Sequence, residues 1–437
     1  MNLNRNLGFK EATALGIGAM VGAGIFVLSG VAAGKAGPAV IISFILAAIL
    51  EILLGLCYAE LASKYPKAGG SYEYVRETMG PLIGTLIGWA YWGAWLAASS
   101  FVSKGFGSYL NLLTGAPPTL SAIILLLILG IINVLGVKFS GVIQVAIVIV
   151  EIALLLSFFA LGWSHVDSTL YTPFAPNGIK GILSAALVGF LSMVGWDGIV
   201  AAGEEIKDPK RTIPLAIFSS IGIVLLLYLG MLYISTGVVS WKELGASPVP
   251  VALSSKQFLG DFGPALVNIV IVITLPATAN AFILSISRTA FAMGRNRLLP
   301  EKVAFIHPRF QTPIWAIALG VGIQILFTLF SSINIAVSAT GFLYLITFIF
   351  TMIAFFISRR KASMMEIKEH FQAPFYPLTP ILALGICIAL LIPIGSSGLI
   401  TGTIWLLIGI ALYFIRYNAI KQPKQLSKIT NWNTKKL

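Results

Sequence analysis

Charge is what this sequence has least of. Of its 437 residues, 10% are Asp, Glu, Lys or Arg, against about 25% in a soluble globular domain, and that scarcity excludes an ordinary water-soluble fold. Cysteine is nearly absent as well. Its two copies, Cys57 and Cys387, sit inside apolar stretches, so neither a disulfide framework nor a cysteine metal site is expected. The three histidines, His165, His307 and His370, fall in separate polar segments and form no ligand cluster. A membrane enzyme would need grouped His, Asp, Cys or Ser with an orienting partner, and a channel would need repeated filter residues or charged rings; neither pattern is present. No enzyme activity, cofactor or metal is therefore expected. The opening residues, MNLNRNLGFKEAT, are polar and basic with no small-residue cleavage site after a short apolar run, so no cleavable signal is expected.

What the chain does have is apolar length. It is 57% hydrophobic, and a hydrocarbon core of ~30 Å needs about 20 apolar residues per helix. That length recurs at roughly 12–36, 39–64, 81–113, 119–137, 140–163, 180–205, 211–239, 262–294, 313–331, 333–358, 375–397 and 399–417. The reading is an all-α polytopic membrane protein with about twelve transmembrane helices. The formal charge of +13 does not indicate nucleic acid, because it is distributed asymmetrically. With the N-terminus inside, only Lys35, Lys104, Lys180, Lys242 and Lys256 lie on or near the outer side, leaving 24 of the 29 basic residues inside. The positive-inside rule then predicts that both termini are cytoplasmic and the protein lies in the cell membrane, with the basic tail 418–437 solvated or touching anionic lipid. The segment SYEYVRETMG at 71–80 is expected along the cytoplasmic surface, and 240–261 as the longest outer loop.

Two spans look interrupted. GIGAMVGAGIFVLSGVAAG at 16–34 and GFLSMVGWDG at 189–198 concentrate glycine, which costs roughly 1 kcal/mol against alanine in a helix interior. They lie five spans apart, the spacing expected of two inverted five-helix halves, about 12–163 and 180–358, followed by two accessory helices at 375–417. Paired glycine-interrupted spans point to a transporter's binding site, because irregular backbone at this depth survives only where it lines a cavity or is buried by protein. Freed N–H groups attract a carboxylate and freed carbonyls an ammonium, so the site is shaped for a small zwitterion.

These residues resemble the amino acid–polyamine–organocation superfamily of permeases over roughly residues 8–355. GIGAMVGAGIF looks like its first-helix signature, and CYAELASKYPKAGGSYEYV at 57–75 like its second span and loop. GWDGIVAAGEEIKDPKRTIP at 195–214 is similar to the end of its sixth span, and SISRTAFAMGRNRLLPEKVAFIHPRFQTP at 285–313 to its eighth span and loop. The resemblance implies a 5+5 inverted-repeat fold with broken helices 1 and 6, and secondary transport of amino acids or their relatives. It implies that the N–H groups of Ala23, Gly24 and Ile25 hold the substrate carboxylate and the carbonyls of Met20, Leu191, Ser192 and Val194 its amino group. An aromatic gate frequent in the family is Leu191 here, with Phe190 beside it as a replacement. Many members carry a lysine in the fifth span where this chain has Glu151, inside VIQVAIVIVEIALLL.

An ionisable residue at membrane depth is a functional candidate by default. Glu151 is read as carrier of a coupling proton, or as ligand to sodium with carbonyls near Gly18 and the Ser285 hydroxyl. Glu51 and Asp197 are further deep acids: Glu51 either joins a proton path with Glu151 or is a hydrogen-bonded neutral acid, and Asp197 holds the broken backbone or an inner gate rather than touching substrate. Thr278 and Asn280 read as interhelical hydrogen-bonding residues near the cavity, and Arg288 as a structural residue snorkelling toward the cytoplasm. The cluster Trp89, Tyr91, Trp92 and Trp95 reads as interfacial or packing residues, and Glu60, Glu204 and Glu205 as partners of basic loop residues. With a pocket of mainly small and aliphatic residues, the expectation is a proton-coupled permease for neutral amino acids working by alternating access. An exchanger, a polyamine or amine transporter, and a non-transporting sensor are the alternatives.

Overall fold

The computed structural model describes residues 7–65, 67, 69–136, 141–361 and 371–421. His370 and the basic tail beyond 421 lie outside the described residues.

The first span is three helical pieces, α1 (Phe9–Met20), α2 (Ala23–Phe26) and α3 (Leu28–Ala36), followed by α4 (Val40–Lys64). A buried helix α5 (Ser71–Met79) leads into α6 (Pro81–Thr114), α7 (Pro118–Leu135) and α8 (Gly141–Gly162). The sixth span is also in pieces, α9 (Gly178–Met193) and α10 (Asp197–Ala201), and α11 (Pro209–Val238) follows. Two short helices, α12 (Trp241–Ala246) and α13 (Pro250–Leu259), precede α14 (Phe262–Arg295), α15 (Ile314–Phe330) and α16 (Ile333–Lys361). The chain closes with α17 (Leu378–Leu391) and α18 (Ser396–Lys421). Among the described residues nine helical stretches are long and apolar enough to cross a membrane. Two shorter apolar helices, α15 and α17, and the 34-residue α6 complete the sequence-derived set.

Local chemistry sets the ends. Proline opens α6, α7 and α11 within their first turn, where its missing N–H is no loss. Gly115 stops α6 in the left-handed conformation at φ 73°, where a side chain would be strained. The Glu11 carboxylate accepts from the Gly8 N–H at 2.9 Å, capping α1.

Packing follows size and polarity. The helices around the breaks form the interior: α1 lies against α8, α11 and α14, α4 against α9 and α11, and α6 against α14 and α16. Trp92, Trp95, Trp196, Tyr58 and Tyr344 are fully buried there. Large apolar residues such as Ile131, Ile149, Leu156, Leu226 and Leu407 point outward, a surface that suits lipid and would be a liability in water.

Two loop expectations change. Segment 71–80 is helical but not a surface element: Tyr72, Tyr74 and Val75 are at most 1% exposed, because α5 inserts between α6 and α16. Segment 240–261 folds into α12 and α13, and α12 clamps α3 through glycines, a Cβ on Gly34 falling 2.9 Å from the Gly245 Cα.

Candidate functional site

The two breaks meet. The first helix unwinds at Val21 and Gly22, where Val21 takes ψ 100°; the sixth unwinds at Val194, Gly195 and Trp196. A Cβ on Gly24 would stand 2.8 Å from the Ser192 carbonyl oxygen, and one on Gly195 would stand 2.8 Å from the carbonyl of Ala19. Each break therefore presses glycine against the other's backbone. Gly195 also sits at φ 145°, a conformation essentially confined to glycine.

Released backbone groups are then partly claimed. The Tyr228 hydroxyl of α11 donates to the Met20 carbonyl at 2.6 Å and lies 3.3 Å from the Ser192 carbonyl. Two of the carbonyls expected to receive an ammonium thus converge on one point, which a phenol occupies. Ser192 Oγ donates to the Gly24 carbonyl at 3.0 Å, and Tyr109 to that of Phe26 at 2.7 Å. The Ile25 N–H is already bonded to the Gly22 carbonyl at 3.2 Å. That leaves Ala23 and Gly24 to supply the first N–H groups of α2, which a helix start leaves without intrahelical acceptors. Nothing in the sequence marked Tyr228, which lies on a continuous helix 208 positions from its acceptor, in a span that also holds Phe218 and Tyr233.

The gate candidates diverge. Phe190 is turned edge-on to Phe348 of α16 at 5.9 Å. Leu191 instead approaches Gly341 of the same helix, its Cδ1 lying 3.5 Å from where a Cβ would stand. The Val194 N–H closes α9 on the Phe190 carbonyl at 3.0 Å.

Glu151 is fully buried. Its carboxylate faces the Thr274 side chain of α14 and lies within electrostatic reach of Tyr228, yet among the described residues neither oxygen has a partner in hydrogen-bonding geometry. One turn beyond Thr274, Thr278 donates to the Gly18 carbonyl at 2.8 Å and to that of Val21 at 3.1 Å. Gly18 thus belongs to the same neighbourhood as Glu151, but Ser285 does not. It lies eleven residues past Thr274, about 16 Å along the helix, where its hydroxyl donates to the Ala281 carbonyl and abuts Gly198. The expected grouping of Glu151, Gly18 and Ser285 is not assembled.

Glu51 belongs with Asp197 rather than with Glu151. Trp196 Nε1 donates to Glu51 Oε2 at 2.8 Å, and Glu51 Oε1 has no partner. Asp197, at the start of α10, faces the Tyr91 hydroxyl, but both carboxylate oxygens lack a hydrogen bond. Tyr91, Trp95 and Tyr344 surround it, and their polar atoms are likewise unpartnered. Aromatic and acidic groups thus gather between α6, α10 and α16.

At the end where α14 and α16 finish, charges close the bundle. Arg288 pairs with Glu205 at 2.6 Å, Arg295 with Glu204 at 3.0 Å and Glu73 at 3.4 Å, and Arg359 with Glu60 at 2.6 Å. The acids predicted to pair do so, with helix-end arginines rather than loop residues. Residue 7 is stapled to the loop after α10: the Leu7 N–H donates to the Glu205 carbonyl at 3.0 Å and the Lys207 N–H to the Leu7 carbonyl at 2.8 Å. Asn280 makes an interhelical hydrogen bond, accepting from Asn133 of α7 at 2.6 Å. Among the described residues no group of three His, Cys, Asp or Glu could hold a metal ion.

Paired broken helices crossing inside a bundle of lipid-facing helices define a membrane transporter of the broken-helix class. A family model described as amino acid permease matches residues 7–415. The chain is 34% identical to the methylthioribose transporter of Bacillus subtilis (strain 168), covering 95% of this chain and 94% of that protein. It is 29% identical to that organism's branched-chain amino acid permease (95% and 93% covered) and 28% identical to its serine/threonine exchanger (87% and 89%). The chain belongs to the amino acid permease family, within the amino acid–polyamine–organocation superfamily. It is a multi-pass membrane transporter and not an enzyme.

Proposed function

We propose that this protein takes up neutral amino acids across the plasma membrane by alternating access, driven by a proton gradient. The observation that carries the reading is the reciprocal contact of the two breaks, Gly24 on Ser192 and Gly195 on Ala19. It brings the carbonyls of Met20 and Ser192 to one point beside the N–H groups of Ala23 and Gly24. A zwitterion's ammonium displaces the Tyr228 hydroxyl there, while its carboxylate takes the N–H groups. The carbonyls of Leu191 and Val194 complete the acceptor set, with Phe190 and Leu191 above it as the gate, and Ile25 contributes through its side of α2. Two halves, about 12–163 and 180–358, rock around the site, with both termini and the arginine-rich end in the cytoplasm.

Glu151 carries the coupling proton. It is a buried carboxyl without a hydrogen-bond partner among the described residues, within electrostatic reach of the Tyr228 hydroxyl that caps the site, so its charge bears on the acceptor carbonyls. Sodium in place of the proton would need oxygen ligands around Glu151, and Ser285 is not among its neighbours. The branched-chain permease and the serine/threonine exchanger among its relatives support neutral substrates, and the second also supports exchange. The methylthioribose transporter supports a second reading, a hydroxylated thioether as substrate.

The test is uptake of labelled neutral, cationic and acidic amino acids into proteoliposomes, with an inward proton gradient, without one, and with amino acid preloaded inside. Gradient-driven accumulation is expected for neutral amino acids, and Glu151→Gln is expected to keep binding while losing the response to the gradient. Unchanged gradient-driven uptake by that variant removes Glu151 from coupling. Accumulation only against internal amino acid makes the protein an exchanger.

A further inference from the structure

Beside the breaks, the described interior holds a group of unpartnered polar side chains that the zwitterion site leaves unused. Tyr91 Oη and Trp95 Nε1 of α6, Tyr344 Oη of α16 and both carboxylate oxygens of Asp197 on α10 are buried without a hydrogen-bond partner. They form one cluster. The rings of Tyr91 and Trp95 are 6.2 Å apart, those of Tyr91 and Tyr344 6.3 Å, and those of Trp95 and Tyr344 5.9 Å. Phe282 of α14 closes the side at 4.9 Å from Trp95. Asp197 faces Tyr91 directly.

The cluster adjoins the zwitterion site. Asp197 is two residues past Gly195, which touches Ala19 and Met20. Tyr344 lies three residues past Gly341, the residue that Leu191 approaches, so both are on one face of α16. A tail reaching from the breaks toward Asp197 would lie between α6, α10 and α16.

The donor and acceptor inventory selects the tail. An indole N–H only donates, an ionised carboxylate only accepts, and a phenol does both. An aliphatic tail offers none of them a hydrogen bond, and unmade hydrogen bonds in a dry interior are costly. An ammonium would answer Asp197 but offers the Trp95 N–H no acceptor. A hydroxyl, with one donor and two lone pairs, answers both. We infer that Tyr91, Trp95, Asp197 and Tyr344 form a subsite that takes a hydroxyl group on the tail of the transported molecule. This assignment rests on the transporter reading above and narrows its substrate to hydroxylated neutral molecules.

Threonine and valine are near-isosteres that differ by a hydroxyl for a methyl, and a site built to bond a hydroxyl rejects the analogue without it. The experiment is titration calorimetry of the purified full chain in detergent with threonine, valine and a methylthio-substituted ribose. Wild type is expected to bind threonine at least ~10-fold more tightly than valine. Tyr344→Phe and Trp95→Phe are expected to bring that ratio below ~3-fold while leaving valine affinity in place, which also reports that the variants fold. Equal or tighter binding of valine by wild type overturns the subsite and leaves the amino-acid reading standing. So does a threonine preference that survives both variants. Binding of the ribose derivative alone, lost in Tyr344→Phe, upholds the subsite and overturns the amino-acid reading. Binding of none of the three overturns both.

Discussion

Gly195, like Gly24 across from it, sets how closely the two breaks can approach. At Gly195 the backbone runs at φ 145°, and a Cβ would stand 2.8 Å from the Ala19 carbonyl and 3.0 Å from the Met20 nitrogen. Neither obstacle is the mobile end of a side chain. Gly195→Ala is expected to lose about 1–3 kcal/mol to backbone strain and to abolish transport. Gly222→Ala, on the outer face of α11 with nothing within 4 Å, is expected to raise stability by up to ~1 kcal/mol with transport intact. Thermal unfolding and uptake of the two purified variants check this; normal uptake by Gly195→Ala would mean that the contact between breaks is dispensable. Such glycines were legible in the sequence because clustering them in an apolar span is unfavourable without a use. Tyr228 was not legible, since its hydroxyl gains meaning only where a distant helix leaves a carbonyl open.

Individual helices show why the aromatic cluster of the third span was read only in part. From the sequence Trp89, Tyr91, Trp92 and Trp95 look like one packing patch, but a helix turns 100° per residue and divides them between faces. Trp89 stacks on Trp405 of α18 at 4.7 Å, and each indole donates to the other's backbone carbonyl at 2.8 Å. Gly93 and Gly409 make room, for a Cβ on either would fall within 2.5 Å of an indole. This face fastens an accessory helix, while Tyr91 and Trp95 on the opposite side meet Asp197. The span boundaries were legible to within a few residues because apolar length is a local property. The burial of α5 was not, because its polar residues are satisfied by partners brought from α14, such as Asn296 donating to Glu73 at 2.9 Å. Trp405→Ala is expected to cost about 3–5 kcal/mol while substrate affinity changes less than twofold. A melting curve and a binding isotherm measure the two separately, and a matching loss of affinity would place α18 in the site.

Ion pairs tie the bundle together at its arginine-rich end, and they join the parts that the proposed alternating access would have to separate. Glu204 and Glu205 extend from α10, Arg288 and Arg295 belong to α14, and Leu7 ties the start of α1 to the same loop. Isolated exposed pairs contribute only ~0–1 kcal/mol, but Arg288 and Glu205 are 13% and 23% exposed and share their loop with the backbone staple. Breaking the pair is therefore expected to favour opening at this end rather than unfolding. Ser285, 5% exposed and beside Gly198, is a reporter position, since the two native cysteines are buried. In a Ser285→Cys background, Glu205→Ala is expected to raise the rate of maleimide labelling several-fold. Arg288→Ala should do the same, and the double variant should add little, because one interaction is removed either way. An unchanged rate in both single variants would show that the gate is held elsewhere. Additive effects would show that the two residues act through separate partners. The expected non-additive rise would identify this ion pair as a latch between the sixth and eighth spans, set by charges that the sequence shows but by distances that only the folded bundle provides.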